Sequence, residues 1–254
     1  MINALTLHTS FSQKLKIVPV GDEYKTEIRK SNSGEAPLAI QMGIAQISVM
    51  IQILVHGLTN KTDSLVAAKL GANGLGFVLD ESDDRYIEFT LAQHIIKNLP
   101  PLMSIFVQPD NFDPDYLQSM VTKLQVSSLI VPVGRYTKSM ESLGCRVTAT
   151  GTSEALKEFV NSADQPVQIA PTDASLDTLH ELPEDELRPW RELNQAHHLL
   201  LPCTIPPKEL TSVLHRFKPA ALLFREGTQD HAGLQDFPLL QAYIQAVHSI
   251  EERV

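Results

Sequence analysis

Residues 50–79 read MIQILVHGLTNKTDSLVAAKLGANGLGFVL, and their pattern decides the fold. The apolar run 51–55 (IQILV) has the length and β-branched character of a buried strand. A helical pattern follows over 61–70 (KTDSLVAAKL), then Gly71, then a second apolar run at 74–79 (GLGFVL). Strand, helix and strand at this spacing make one βαβ unit, which implies a parallel sheet covered by helices.

The same rhythm continues to the C-terminus. Strands are predicted at 103–107, 128–133, 146–150, 166–170, 198–202 and 220–224. Helices are predicted at 87–98, 113–124, 152–161, 184–194, 206–216 and 236–250, with a shorter one near 136–143. Pro114 and Pro206-Pro207 suit helix starts, and Thr152 or Ser153 suits an N-cap. Eight strand-helix units favour a closed (β/α)8 TIM barrel, with an open doubly wound sheet as the competing architecture.

Residues 1–49 stand outside this rhythm as an N-terminal extension. They hold a possible hairpin (KLKIVPV, then EYKTEI) and a turn-rich SNSGEAP linker. The expected organisation is thus an extension over 1–49 and a single barrel domain over 50–254.

Composition sets further bounds. The chain has 254 residues, 43% of them hydrophobic and 20% charged, enough for a large core. Its formal net charge of −9 argues against nucleic acid and anionic lipid as partners. Residues 36–55 carry no charge and approach a membrane-spanning length. Gln41, Gln46 and Gln52 make a buried strand after an apolar linker the plainer reading. Two cysteines, Cys145 and Cys203, form no metal-type spacing, and no signal peptide is visible; a reducing, cytoplasmic setting is expected.

At Gly57-Leu58-Thr59 the chain resembles the phosphoribosylanthranilate isomerases, whose first strand ends K-I-C-G-L-T. His56 stands at the position of the family's cysteine and Leu54 at that of its lysine. The run from Ala67 to Leu79 is similar to the family's A-A-x-x-G-A-D-A-x-G-F-V-F. Arg85 falls on the arginine of its S-P-R, with Asp83-Asp84 in place of Ser-Pro. Leu99-Pro100-Pro101 matches L-P-P, residues 205–210 (IPPKEL) resemble N-P-E-N-V, and Trp190 falls at F-D-W. The resemblance spans 50–254 and is most specific over 57–101.

It implies an aldose–ketose isomerase of tryptophan biosynthesis, working by an Amadori rearrangement without metal or organic cofactor. In that reading His56, at the C-terminal end of the first strand, is the general base; a neutral imidazole accepts a proton near neutral pH. Asp173, after the sixth strand, is the general acid, with Asp177 a weaker candidate, and Arg85 and Gly57 contact substrate. The substrate is a small phosphorylated sugar-amine. Gly134, Thr204, Arg225 and Gly227 are the remaining candidates for binding it.

Each residue also has a structural reading. His56 can simply bond a loop, Asp173 can cap a helix, and Arg85 can pair with Asp83 or Asp84.

The phosphate motifs depart from the family's. Cys203-Thr204 stand where the family has G-G, and Phe224-Arg225-Glu226 where it has S-S-G, with Gly227 one step late. Residues 181–186 (ELPEDE) replace G-G-T-G, and residues 131–134 (VPVG) keep only the glycine of Q-L-H-G. Two further readings therefore stand beside the isomerase: an inactive barrel that binds a ligand or a protein, and a barrel enzyme with another small-molecule substrate. Cys203 is a possible thiol at the mouth. His197-His198 open the seventh strand at the barrel bottom with no further metal ligands evident. Oligomeric state is not legible.

Overall fold

A computed structural model describes residues 6–8, 14–20, 23–29, 50–163, 166–224 and 236–251. The chain divides into two compact units, Met1–Ser48 and Val49–Val254. In the first, β1 (Thr6–His8), β2 (Lys14–Val20) and β3 (Glu23–Arg29) form an antiparallel sheet. β2 and β3 pair from Lys14 opposite Arg29 to Val20 opposite Glu23, along the stretch where the sequence predicts a hairpin.

The second unit is a closed barrel. Its strands are β4 (Gln52–His56), β5 (Gly74–Val78), β6 (Ser104–Gln108), β7 (Ser128–Pro132), β8 (Arg146–Gly151), β9 (Gln168–Pro171), β10 (His198–Pro202) and β11 (Ala221–Phe224). All neighbours are parallel, and closure comes where β11 meets β4, from Ala221 opposite Gln52 to Phe224 opposite Val55. The open doubly wound alternative is therefore excluded. Residues 52–56 of the uncharged stretch form a barrel strand; among the described residues no helix is long and apolar enough to cross a membrane.

Side chains alternate between the two faces of each strand. Outward residues such as Ile53, Val55, Phe77, Val107, Leu129 and Leu201 join the large cluster beneath the helices. Inward residues form a second, smaller cluster of Leu54, Phe106, Ile130, Ala170, Leu200, Ala221 and Leu223. The barrel centre is thus a packed core. β5 presents two glycines to it. A Cβ on Gly74 would lie 2.5 Å from Leu54 Cδ2 and 2.8 Å from Phe106 Cε2, so glycine there makes room for both.

The helices are α1 (Lys61–Leu70), α2 (Phe89–Ile96), α3 (Pro114–Leu124), α4 (Ser153–Asn161), α5 (Leu176–Glu181), α6 (Glu184–Ala196), α7 (Pro207–Arg216) and α8 (Phe237–Glu251). Their starts follow local chemistry. Asn60 Oδ1 accepts from the Asp63 N–H at 2.9 Å, Asp113 caps α3 just before Pro114, and Thr152 caps α4.

Two features differ from the sequence reading. The helix predicted near 136–143 is replaced by the 3-10 turns Val133–Arg135 and Lys138–Ser142. The polar segment after β9 contains α5, which is closed by a reciprocal Ser175–Thr178 capping box. Both segments are too short for a helical period to show.

Candidate active site

The C-terminal ends of the strands enclose a cavity of about 180 Å3. Its inner wall is apolar, with Leu54, Phe106, Ile130, Ala170, Leu200 and Leu223. Above that layer the lining turns polar, with His56, Gln108, Thr148, Thr150 and Thr172. The lower edge is tied by a buried network: Ser128 Oγ and Thr148 Oγ1 lie 2.8 Å apart, and both hydroxyls reach Gln168 Oε1, at 3.2 and 3.1 Å. An apolar pocket with a few converging polar groups at this end of a barrel is where a small-molecule site is expected.

His56 closes β4 and is only 2% exposed. Its imidazole lies against Gly76, directly across the pairing from β5. A Cβ on Gly76 would lie 2.4 Å from His56 Cδ2 and 3.0 Å from Cγ, so the ring's place depends on that glycine.

Gly57 follows with φ +86°, a conformation that glycine adopts without the Cβ penalty. Its N–H and that of Leu58 both donate to the Gly76 carbonyl, at 3.0 and 3.1 Å. A Cβ at Gly57 would stand 2.7 Å from Arg85 Cδ, so the arginine stem lies across the chain just after His56. The guanidinium is held by Asp83 in two-point fashion, Nε to Oδ1 at 2.8 Å and Nη2 to Oδ2 at 2.9 Å. Burial works to raise the Asp83 pKa, but the hydrogen bonds and charge of Arg85 outweigh it and hold the carboxyl at about 2. Arg85 therefore sits at the rim and is not part of the cavity wall.

Asp173 stands at the mouth but outside the cavity lining. It is exposed, and its Oδ1 accepts from the Ser153 N–H at 2.8 Å and the Ser153 hydroxyl at 2.6 Å. These bonds tie it to the first turn of α4, and the Ser153 hydrogen bond leads the causes that lower its pKa. A carboxyl held in its charged form is a poor proton donor. As placed, Asp173 acts as a helix cap, and for a helix other than the one its own sequence context suggested.

The expected phosphate contacts fare unevenly. Gly134 is exposed in a 3-10 turn with nothing within 4 Å of a built Cβ, so no close approach requires glycine there. Thr204 directs both its donors to Asp177, the N–H to Oδ2 at 3.1 Å and the hydroxyl to Oδ1 at 2.8 Å. Arg225 and Gly227 lie outside the described residues.

Cys203 is buried, and burial together with the nearby Asp177 charge pushes its pKa up to about 12, so it is not a ready nucleophile. His197 Nδ1 accepts from the Val167 N–H at 3.4 Å, a structural contact. No group of three or more His, Cys, Asp or Glu is placed to hold a metal among the described residues. Trp190 packs against the core under Lys157, and Phe224 packs on Tyr243 at 4.6 Å between centroids.

Sequence reasoning missed Gln108, Thr150 and Thr172. Their signal was parity: Gln108 is two residues beyond inward Phe106, Thr150 two beyond Thr148, and Thr172 two beyond Ala170.

The closed barrel, with an apolar cavity that turns polar at His56 and the strand C-termini, is a (β/α)8 fold whose cavity is of the kind that holds a small molecule. No family model matches the chain. An N-(5'-phosphoribosyl)anthranilate isomerase of Chlorobium phaeobacteroides (strain BS1) is 21% identical over 224 residues, covering 80% of this chain and 99% of that protein. The corresponding isomerase of Nitrosospira multiformis is 40% identical over 63 residues, 24% of this chain and 30% of that protein.

Among solved structures, a phosphoribosylanthranilate isomerase in complex with reduced 1-(o-carboxyphenylamino)-1-deoxyribulose 5-phosphate superposes with a TM-score of 0.63. It is 21% identical and covers 79% of this chain and all (100%) of its own. The isomerase of Thermotoga maritima gives 0.63 at 19% identity, covering 79% of this chain and 100% of its own. These structural likenesses confirm the barrel. Over most of its length the chain is thus similar, at low identity, to phosphoribosylanthranilate isomerases.

Proposed function

We propose that the barrel is an aldose–ketose isomerase of the phosphoribosylanthranilate isomerase type, acting on an N-linked aminoaldose in the mouth cavity. The observation that carries this reading is the buried His56 imidazole at the end of β4, lining a cavity with an apolar wall and a few hydroxyls and an amide near its mouth.

In an Amadori rearrangement the ring oxygen leaves C1 as it gains a proton, giving an open-chain iminium. Loss of the C2 proton then gives an enolamine, which tautomerises to the aminoketose. His56 takes the C2 proton and returns one, a role that needs a group able to cycle near working pH. Gln108, Thr150 and Thr172 are placed to bond sugar hydroxyls, and the apolar wall of Leu54, Phe106 and Leu223 suits an aromatic amine. Asp173 braces α4 beside Thr172; if it is also the proton donor, it must first release Ser153. Arg85 would take a ligand carboxylate only in competition with Asp83.

Turnover of N-ribosylanthranilate, with and without a 5-phosphate, tests the reading when the full-length protein and His56→Ala are compared. Conversion by the first and a loss of at least about a hundredfold in the second is expected. Equal rates in both would remove His56 from the mechanism, and conversion by neither would favour a binding barrel.

A further inference from the structure

The loop after β10 is one of the two from which barrels commonly build a phosphate cradle. In this chain the donors of that loop are already engaged. The Thr204 N–H and hydroxyl are the two groups there that face a common acceptor, and both end on the Asp177 carboxylate, at 3.1 and 2.8 Å. The carboxylate uses one oxygen for each donor, the two-point geometry an anionic ligand would otherwise adopt. Asp177 belongs to α5, which is braced by its capping box, so the contact joins two fixed elements 27 residues apart in sequence.

The negative charge is felt locally. Burial first, and Asp177 next for the Cys203 thiol, push that thiol and the Tyr243 phenol beneath the loop each up to about 12. A phosphate placed on Thr204 would have to displace a carboxylate and then lie beside it, where like charges repel.

We propose that Asp177 is a specificity-determining residue: it fills the anion position of the β10 loop, so the ligand presents an uncharged hydroxyl end there in place of a phosphate. The substrate class is then an unphosphorylated aminoaldose or a related glycosylamine. This rests on the isomerase reading only in placing a sugar in the mouth. The loop's rejection of phosphate holds whatever reaction follows.

The probe is inorganic phosphate, followed by melting temperature with the full chain. Wild type is expected to show no shift at millimolar phosphate beyond that of chloride at equal ionic strength. Asp177→Ala, which frees both Thr204 donors and removes the charge, is expected to gain a phosphate-dependent rise of about 3–6 °C at tenfold excess over Kd. Asp177→Asn, which keeps an acceptor and folds under the same constraints, is expected to gain less. Adding Thr204→Val to Asp177→Ala should abolish the gain.

A phosphate-dependent rise in wild type that Thr204→Val removes would overturn the proposal, as would the absence of any gain in both Asp177 variants. Activity separates this idea from the isomerase reading. Preference for the unphosphorylated sugar, by about tenfold or more in kcat/KM, supports it, and preference for the 5-phosphate overturns it. Turnover of neither sugar overturns the isomerase reading alone, and the phosphate titration still decides the role of Asp177.

Discussion

Replacing Gly76 with alanine probes the one glycine on which the His56 ring depends. A methyl at this position would meet His56 Cδ2 at 2.4 Å, Cγ at 3.0 Å and the His56 Cα at 3.1 Å. The ring is packed inside a closed barrel and the next contact is backbone, so swinging the side chain away does not relieve the overlap. Ordinary contact begins near 3.4 Å, which asks the imidazole to retreat about 1 Å.

Overpacking of this kind costs about 1–3 kcal/mol, partly offset by roughly 0.5 kcal/mol from a stiffer unfolded chain. The net loss of about 1–2 kcal/mol corresponds to a fall in Tm of roughly 3–6 °C for a barrel of this size. A displacement of about 1 Å in a catalytic group costs on the order of a hundredfold in kcat. Calorimetric melting and turnover of the same preparation read both effects. Gly76→Ala with wild-type Tm and wild-type turnover would refute the packing of His56 against β5, and with it the placement of the base.

Other consequences follow from the remaining contacts. Asp173→Asn is expected to lower stability by about 0.3–1 kcal/mol through loss of the negative charge at the first turn of α4. Because the folded-state pKa of Asp173 is depressed, the difference from wild type should be present above about pH 4, the unfolded value, and vanish as pH falls below it, in denaturant melts run across pH. The Asp83–Arg85 pair follows the same sign: its contribution is complete above about pH 4 and is lost as pH falls toward 2, a loss absent in Asp83→Asn. Gly57→Ala, forced to φ +86° and against Arg85 Cδ, should cost about 1–2 kcal/mol and read out in the same melts. In the native protein at pH 8, Cys203 should resist iodoacetamide and react only on unfolding, as peptide mapping would show.

The barrel was legible because its strands are short buried apolar runs and its helices carry caps and prolines at their starts. β10 begins and ends where the apolar run does, and α1 starts at Lys61, directly after the Asn60 cap. The 3-10 turns after β7 were read as a short helix because nothing in the Val133–Ser142 segment separates the two over so few residues.

In the site, His56 could be found because a strand end in a barrel points to the mouth. Asp173 also sits at a strand end, yet its partner Ser153 is 20 residues away and invisible to local pattern. The Asp177–Thr204 contact is hidden for the same reason, and it changes what Thr204 can bind. Gln108, Thr150 and Thr172 were readable from strand parity, but a polar residue closing an apolar strand looks like the start of a loop.

The most direct test of the account is proton exchange at C2. N-ribosylanthranilate incubated in D2O with the full-length protein and followed by 1H NMR should give aminoketose with one deuterium at C1, and His56→Ala should form no such product. Product that carries two protons and no deuterium at C1 with wild type, or deuterated product formed at the same rate with His56→Ala, would contradict the placement of proton transfer at the end of β4.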